Sequence, residues 1–320
     1  MSSQTKKPSF FQQCIHKIDT WQQRHSTLAF THAVVKKYSE DEAGYQAALL
    51  AYYGFVSLFP LLIAALAVLQ IVAHDNPVLR DQFLTNATSY FPALGKNLAD
   101  SIQAPSKSGL ALFIALLVIL YGARGVADAI QHVQNHVWAV PRSKRVGFPR
   151  SMARNFAMIA YAGFGLLTAA TLNGYAAAAS HALVLRLILG LAGFVALFGV
   201  FWGVFTYGSS VRPRPAANVP GALFAAIWFV TLQAIGGYIV AHQLKTQTGL
   251  TAQFAVVLAI LFWLYLQAQV FLYAIEINSV RAHRLWPRSI NPKPPLPADE
   301  KAYSLYRQRE TFTDDERLHH

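Results

Sequence analysis

Six apolar stretches, residues 47–73, 109–127, 156–179, 182–207, 219–241 and 252–278, decide what this chain can fold into. About 20 predominantly apolar helical residues cross the hydrocarbon core of a bilayer, and each stretch approaches or exceeds that length. The first, third and fifth contain no charged side chain. In lipid every backbone polar group must be bonded within the protein, so uninterrupted runs of this length point to helices rather than barrel strands. The expected fold is all-α: a polytopic membrane protein with six transmembrane helices. Only Ser180 and His181 separate the third and fourth stretches, which predicts a tight antiparallel hairpin. Composition agrees. Charged residues make up 13% of the chain, against about 25% in an ordinary globular protein, too few to coat a water-soluble body.

The net charge of +12 could suggest nucleic acid, but the distribution of the basic residues explains it. Of 27 Lys and Arg, 22 lie in the N-terminal segment, in the connections after the second and fourth stretches, and in the tail. Positive residues accumulate on the cytoplasmic side of a membrane protein, so both termini are expected there. Residues 1–46 form a cytoplasmic segment with a loose amphipathic pattern (Ile15, Ile18, Trp21, Leu28, Val35), suited either to an interfacial helix on the inner leaflet or to a plain polar lead-in. The outer loop between 73 and 109 fits short amphipathic helices broken at Phe91-Pro92. Residues 279–320 are Pro-rich and then charged, and read as a largely disordered cytoplasmic tail. Residues 1–40 lack the apolar core of a cleavable leader. The single cysteine, Cys14, excludes an intramolecular disulfide and is expected to be an incidental reduced thiol. No internal repeat points to an inverted-repeat transporter.

Ionisable groups inside a span are costly and usually face a bundle interior or a wet cavity. Arg124 and Asp128 are four residues apart on the second helix, and Gln269 and Glu276 are seven apart on the sixth, with Tyr273 between them. Both helices run outside to inside, which puts these residues at similar depth. The expected site is therefore a polar cluster of Arg124, Asp128, Gln269, Glu276 and Asn278 in the cytoplasmic half of the bundle, with Arg124 paired to Glu276. The competing expectation is that Arg124 and Glu276 snorkel to headgroups at the helix ends. Pro60 interrupts the first helix near its middle, where a proline frees a carbonyl and bends the axis. Pro220 suits the first turn of the fifth helix, and Gly221 permits close helix packing there.

These residues also carry a family resemblance. The stretch Ala47-Ala-Leu-Leu-Ala-Tyr-Tyr-Gly-Phe-Val-Ser-Leu-Phe-Pro-Leu-Leu resembles the first-helix signature of the YihY/BrkB family, once called ribonuclease BN-like. Residues 130–140, with Asn135 and Trp138, resemble the segment after its second helix, and residues 213–222, with Pro220-Gly-Ala, its entry to the fifth. Phe262-Trp-Leu-Tyr-Leu-Gln-Ala-Gln followed by Ile275-Glu-Ile-Asn resembles its sixth-helix signature. Two departures are local: Thr248-Gly249 stands where the family usually has Tyr-Gly, and Ala274-Ile275 where Gly often precedes the Glu. The resemblance implies a bacterial inner-membrane protein of six helices and leaves the activity open.

The residues weigh against the ribonuclease label. Metal-dependent hydrolysis needs clustered Asp, Glu or His, and the nearest approach is His132 and His136 at i, i+4, with Asp128 alone beside them. They read as interfacial histidines on an amphipathic helix, and no cofactor or nucleic-acid partner is expected. A transporter or lipid-handling protein fits better, with the bilayer and an anionic lipid or solute as partners. Gln70, Thr168, Thr171, Asn173, Gln233, Gln267 and Gln269 supply polar groups within the spans. A scaffold for envelope assembly, acting through the outer loop and tail, is the alternative.

Overall fold

The computed structural model describes residues 17, 19–72, 109–178, 182–243, 250–290 and 295–312. The expected helices of the outer loop lie outside the described residues. Every regular element that is described is helical: α1 (Ser26–Glu40), α2 (Ala43–Val72), α3 (Gly109–Val137), α4 (Arg150–Ala178), α5 (Leu183–Tyr207), α6 (Val219–Gln243), α7 (Leu250–His283) and α8 (Pro297–Arg309), with 3-10 turns at Arg142–Lys144 and Pro215–Asn218.

Helices α2 to α7 run 25 to 34 residues and pack as a closed ring in chain order, each against the next and α7 back against α2. Hydrogen bonds at one end of the ring fix their directions. Lys37, just ahead of α2, donates to the carbonyl of Val137 at the end of α3. Gln131 of α3 bonds Asn155 near the start of α4, and Gln134 donates to Val204 O near the end of α5. Gly221 near the start of α6 donates to Asn278 near the end of α7. The starts of α2, α4 and α6 and the ends of α3, α5 and α7 thus share one end, so the six helices alternate in direction. Among the described residues four segments, Arg150–Ala176, Leu183–Tyr207, Pro215–Gly236 and Val257–His283, are long and apolar enough to cross a membrane. They leave large apolar side chains such as Phe164, Leu167, Leu187, Leu191 and Leu258 uncovered by protein, the surface expected where lipid is the solvent.

The ring closes tightly because its core is rich in alanine. Ala43 and Ala47 of α2, Ala129 and Val133 of α3, Ala222 and Ala225 of α6, and Ala268, Leu272, Ala274 and Ile275 of α7 form one buried cluster with Phe205 of α5. Small side chains let backbones approach, the usual solution where no water drives helices together. Gly221 is the extreme case: a Cβ there would lie 2.1 Å from the carbonyl oxygen of Ala274. Pro220 occupies the first turn of α6, where its missing N–H costs nothing. At Pro60 the backbone of α2 stays helical.

At the end where these starts and stops meet, helices continue past the apolar stretches. The stretch ending at 127 continues in α3 to Val137, ten further residues and about 15 Å of helix. The one ending at 278 continues in α7 to His283, and α4 begins at Arg150, ahead of 156. These extensions carry a lobe built from both termini. The tail expected to be disordered forms α8, whose Ala302 packs with Ala33 and Val34 of α1 and with Val280 and Leu285. Pro297 opens α8, acidic Asp299 and Glu300 fill its first turn, and Arg307 and Arg309 its last, the arrangement that complements the helix dipole. The charges that suggested disorder are the partners of the opposite terminus. The face of α1 also differs from the expected one: Ala29, Ala33, Val34 and Lys37 are buried, while Leu28 and Val35, and Trp21 ahead of the helix, stay exposed; Ile15 and Ile18 lie outside the described residues. Alanine at 29 and 33 lets α1 come close to its neighbours.

Two helices at this end stop in Schellman-type caps whose left-handed residue is not glycine. Ala139 (φ 51°) follows α3 and Arg284 (φ 54°) follows α7, with Val140 N–H bonded to Asn135 O and Leu285 N–H to Val280 O. Left-handed backbone costs a non-glycine residue about 1–2 kcal/mol. Arg284→Gly should therefore stabilise the protein, by roughly 0.5–1 kcal/mol once glycine's greater unfolded entropy is deducted. Gly221→Ala should destabilise it by about 1–3 kcal/mol, because α6 must move off α7. Thermal unfolding of the purified protein in detergent measures both.

Candidate functional site

The last turn of α1 delivers Lys37 into the interior, where the side chain is 2% exposed. Its ammonium has three protons and three acceptors: Asp41 Oδ2 at 2.5 Å, Glu276 Oε2 at 2.9 Å and Val137 O at 3.0 Å. The i, i+4 spacing on α1 sets the first contact. The second reaches across to α7, and the third satisfies a carbonyl that the end of α3 would otherwise leave unpaired. Ser279 Oγ donates to the same carbonyl at 3.1 Å. Asp41 is completed by Arg309 of α8, whose Nη1 donates to Oδ1 at 2.9 Å and also lies 2.8 Å from His136 Nε2. Two cations, Lys37 and Arg309, thus meet two carboxylates, Asp41 and Glu276.

Burial opposes charge on both Lys37 and Asp41, and their partners overcome it. Glu276 and Asp41 hold the Lys37 ammonium above its ordinary range, and Lys37 and Arg309 hold the Asp41 carboxyl below its own. His136 goes the other way: burial and then the Arg309 charge push it down to about 4, so it is neutral and its Nε2 accepts.

A second network fastens the lobe. The guanidinium of Arg288, fully buried, holds Glu40 through two bonds of 2.6 and 3.1 Å and Asp299 through one of 2.8 Å. Asp299 also accepts from Lys36 and from the backbone of Ser289 and Leu296, and Tyr306 donates to Glu40. Through these contacts α1, α8 and the chain after α7 form one body, and Lys37–Glu276 joins that body to a membrane helix.

The sequence-derived cluster divides among these elements. Gln269, Tyr273 and Glu276 do lie along one stripe of α7, but the stripe faces α1: Tyr273 stacks on Tyr38 with ring centroids 4.0 Å apart, and Gln269 lies beside the Tyr38 hydroxyl. Asn278 turns to α6, where its Oδ1 takes the N–H of Gly221 at 2.7 Å. Arg124 pairs with Asp128 at 3.4 Å rather than with Glu276; both are about half exposed, and Asp128 also accepts from Asn155. Arg124 and Glu276 sit on opposite sides of the matter: one on an open helix surface, the other at 0% exposure. Lys37, Asp41, Arg288, Asp299 and Arg309 were not singled out by sequence, although Lys36-Lys37 followed four residues later by Glu40-Asp41 is a visible helical charge pattern.

A second feature lies at the far end of α4. A cavity of about 350 Å³ between α4, α5 and α6 is walled by apolar residues including Leu166, Phe194, Leu197 and Phe229, and two amides, Asn173 and Gln233, line it. Neither amide bonds another described residue.

A ring of long alternating helices, apolar on its flanks and tied at one end to a charged lobe, defines a helical integral membrane protein. The chain matches the family described as Virulence factor BrkB over residues 34–296, and it belongs to that family. It is similar to the inner membrane protein YhjD of Escherichia coli (strain K12), 22% identical over 278 residues that cover 78% of this chain and 80% of YhjD. It is also similar to YfkH of Bacillus subtilis (strain 168), named as ribonuclease-like, 23% identical over 275 residues covering 79% of this chain and 95% of YfkH. No solved structure matches. The family match takes in Lys37, Asp41, Glu276 and Arg288 and stops just short of α8.

Lys37→Met should cost about 3–5 kcal/mol, because it leaves two buried carboxylates without their cation. Combined with Glu276→Gln, the loss should fall short of additivity by at least about 1 kcal/mol, whereas Arg124→Gln should cost under about 0.5 kcal/mol and add independently. Unfolding in detergent reads all three. Acid should also loosen the lobe. His136 binds a proton near pH 6.5 when unfolded but only near 4 when folded, so its contribution is present above 6.5 and lost as pH falls towards about 4. Asp41, depressed in the folded state, adds a further loss at lower pH. A melting temperature flat between pH 7 and 4 would contradict this, and His136→Gln should shrink the slope.

Proposed function

We propose that this chain is a six-span inner-membrane protein, with both termini cytoplasmic, that transports or handles an amphiphilic, anionic component of the cell envelope. The packing of α1 against α8 supports an even number of crossings, since the two terminal segments share one side. The collection of 22 of 27 Lys and Arg at that end of the chain's topology supports its being the cytoplasmic one. The name of YhjD supports the inner membrane as its location.

The observation that carries the handling role is the cavity holding Asn173 and Gln233. Asn173 is left exposed by the protein and Gln233 is half-buried, and neither bonds another described residue; amides so placed among apolar helices are costly where lipid is the solvent and often mark a substrate path. An apolar cavity with two amides suits an acyl chain and its ester better than a hydrated ion. The buried Lys37–Glu276 pair then has a mechanical role: it makes α7 move with the lobe.

Transbilayer movement of a labelled anionic phospholipid in proteoliposomes tests the reading. The protein should raise the rate at least tenfold over empty liposomes, and Asn173→Leu with Gln233→Leu should remove most of that increase without lowering the melting temperature. Wild-type protein that moves no lipid would sink lipid handling and leave solute transport or scaffolding. Movement unchanged by the double substitution would place the path elsewhere.

A further inference from the structure

At the lobe end of the α4–α5 pair, opposite the amide-lined cavity, lies a second and larger one of about 540 Å³. Three arginines line it, Arg150 and Arg154 at the start of α4 and Arg212 just after α5, together with Tyr161, Tyr207 and Ser210. Arg154 is held in a fixed orientation by neutral groups: Nε and Nη2 donate to Gln131 Oε1, Nη1 to Ser209 O at 3.0 Å, and Nη2 also to Ser210 Oγ at 3.3 Å. The guanidinium of Arg212 lies over the Tyr207 ring, 5.6 Å from its centroid. Among the described residues no carboxylate comes within 4 Å of any of the three guanidinium groups. Asp128, on the adjoining α3, is already taken by Arg124 and Asn155.

Several cations of this lobe are matched by anions: Lys36 and Arg288 by Asp299, Arg288 by Glu40, Lys37 by Glu276, Arg309 by Asp41, Arg142 by Glu310. Arg150, Arg154 and Arg212 differ from the other cations in lining one cavity together, and an anion is what would complete them. Guanidinium groups suit phosphate, which accepts forked pairs of hydrogen bonds. The surroundings indicate where that phosphate comes from. The cavity sits where the membrane-crossing segment Arg150–Ala176 begins, with Tyr161 and Tyr207 partly exposed on its wall and Phe148 79% exposed beside Arg150. Aromatic residues of this kind collect at headgroup depth. Tyr161, deeper along α4, is fixed on the cavity wall by its hydroxyl, which donates to Gly199 O at 2.6 Å, and by Gly203, where a Cβ would overlap its ring.

We propose that this cavity binds the phosphate of an anionic phospholipid headgroup, with Arg154 as the oriented donor and Arg150 and Arg212 closing on it from the rim. The shared chemistry is a phosphate ester, and a soluble one would use the same three side chains. The inference deepens the reading of the protein as lipid-handling, and rests on it only in placing this end of α4 and α5 at the membrane surface.

Native mass spectrometry of the full chain in detergent tests it, with phosphatidylglycerol, phosphatidylcholine and glycerol phosphate as probes. Arg150→Gln with Arg212→Gln is the informative variant, since neither side chain makes an ion pair that the fold needs; Arg150→Lys with Arg212→Lys keeps the charge. Phosphatidylglycerol should bind at least tenfold more tightly than phosphatidylcholine, lose that preference in the Gln pair and keep part of it in the Lys pair. Glycerol phosphate that binds alone and displaces the lipid, again only with the arginines present, would confirm the phosphate site and name a soluble ligand. Equal binding of both lipids, or a Gln pair that binds like wild type, would overturn the proposal. Lipid movement measured on the same preparations separates the two ideas: movement without selective binding sinks this site alone, and selective binding without movement sinks the handling role alone.

Discussion

Everything at the charged end of this protein is organised around one ammonium group. Removing Lys37 from water is expensive, and the expense is offset only if all three of its protons find acceptors in the low-dielectric interior. The acceptors come from the turn before α2, the end of α3 and the middle of the last turns of α7, so satisfying a single side chain fixes the relative positions of three helices. An apolar substitute could stabilise the same contact, but it would not specify the same registry, since apolar surfaces slide and a hydrogen-bonded cation does not. The alanine-rich core then fits closely only because the helix ends are already aligned.

The long helices were legible in the sequence because a helix suited to lipid must be apolar along most of its length, a rule that needs no tertiary knowledge. The stripe of Gln269, Tyr273 and Glu276 was legible for a similar reason, since helical periodicity alone puts them on one face. Its partner was not. Depth alone offered Glu276 the cation of Arg124, and sequence periodicity cannot say which helix closes against which. Arg124, drawn from the same apolar context, proved to be a surface residue satisfied locally by Asp128. Lys37 lay in a segment whose exposed apolar residues, Trp21, Leu28 and Val35, suggested the wrong face. The tail failed for a related reason. Proline and charge describe a disordered chain only when no complementary charge waits elsewhere, and Glu40 and Asp41 waited more than 240 residues upstream.

The α4–α5 hairpin joins the two cavities. One, at its far end, is apolar with two amides; the other, at the lobe, is cationic. Gly165 and Gly203 let the two helices approach until a methyl group would collide with Val200 or Tyr161, so the pair forms one closely packed beam. A molecule with a phosphate at one end and hydrocarbon at the other would find matching chemistry along that beam. The Lys37 cluster lies on a different side, where α7 meets α2, so the parts proposed to hold a substrate and the part that couples lobe to bundle are physically separate.

Because Lys37 and Glu276 are separated by 239 residues, the order of synthesis matters. Ribosomes extend a chain at about 5–20 residues per second, so the ammonium waits on the order of 10–50 seconds for its carboxylate. During that interval Lys37 lacks its carboxylate on α7, and Glu40 and Asp41 lack Arg288 and Arg309. Docking becomes available only after the last helix of the ring has emerged. Lys36, Lys37, Glu40 and Asp41 are thus among the last residues to be placed, and the folded lobe is a record that every intervening helix has been delivered.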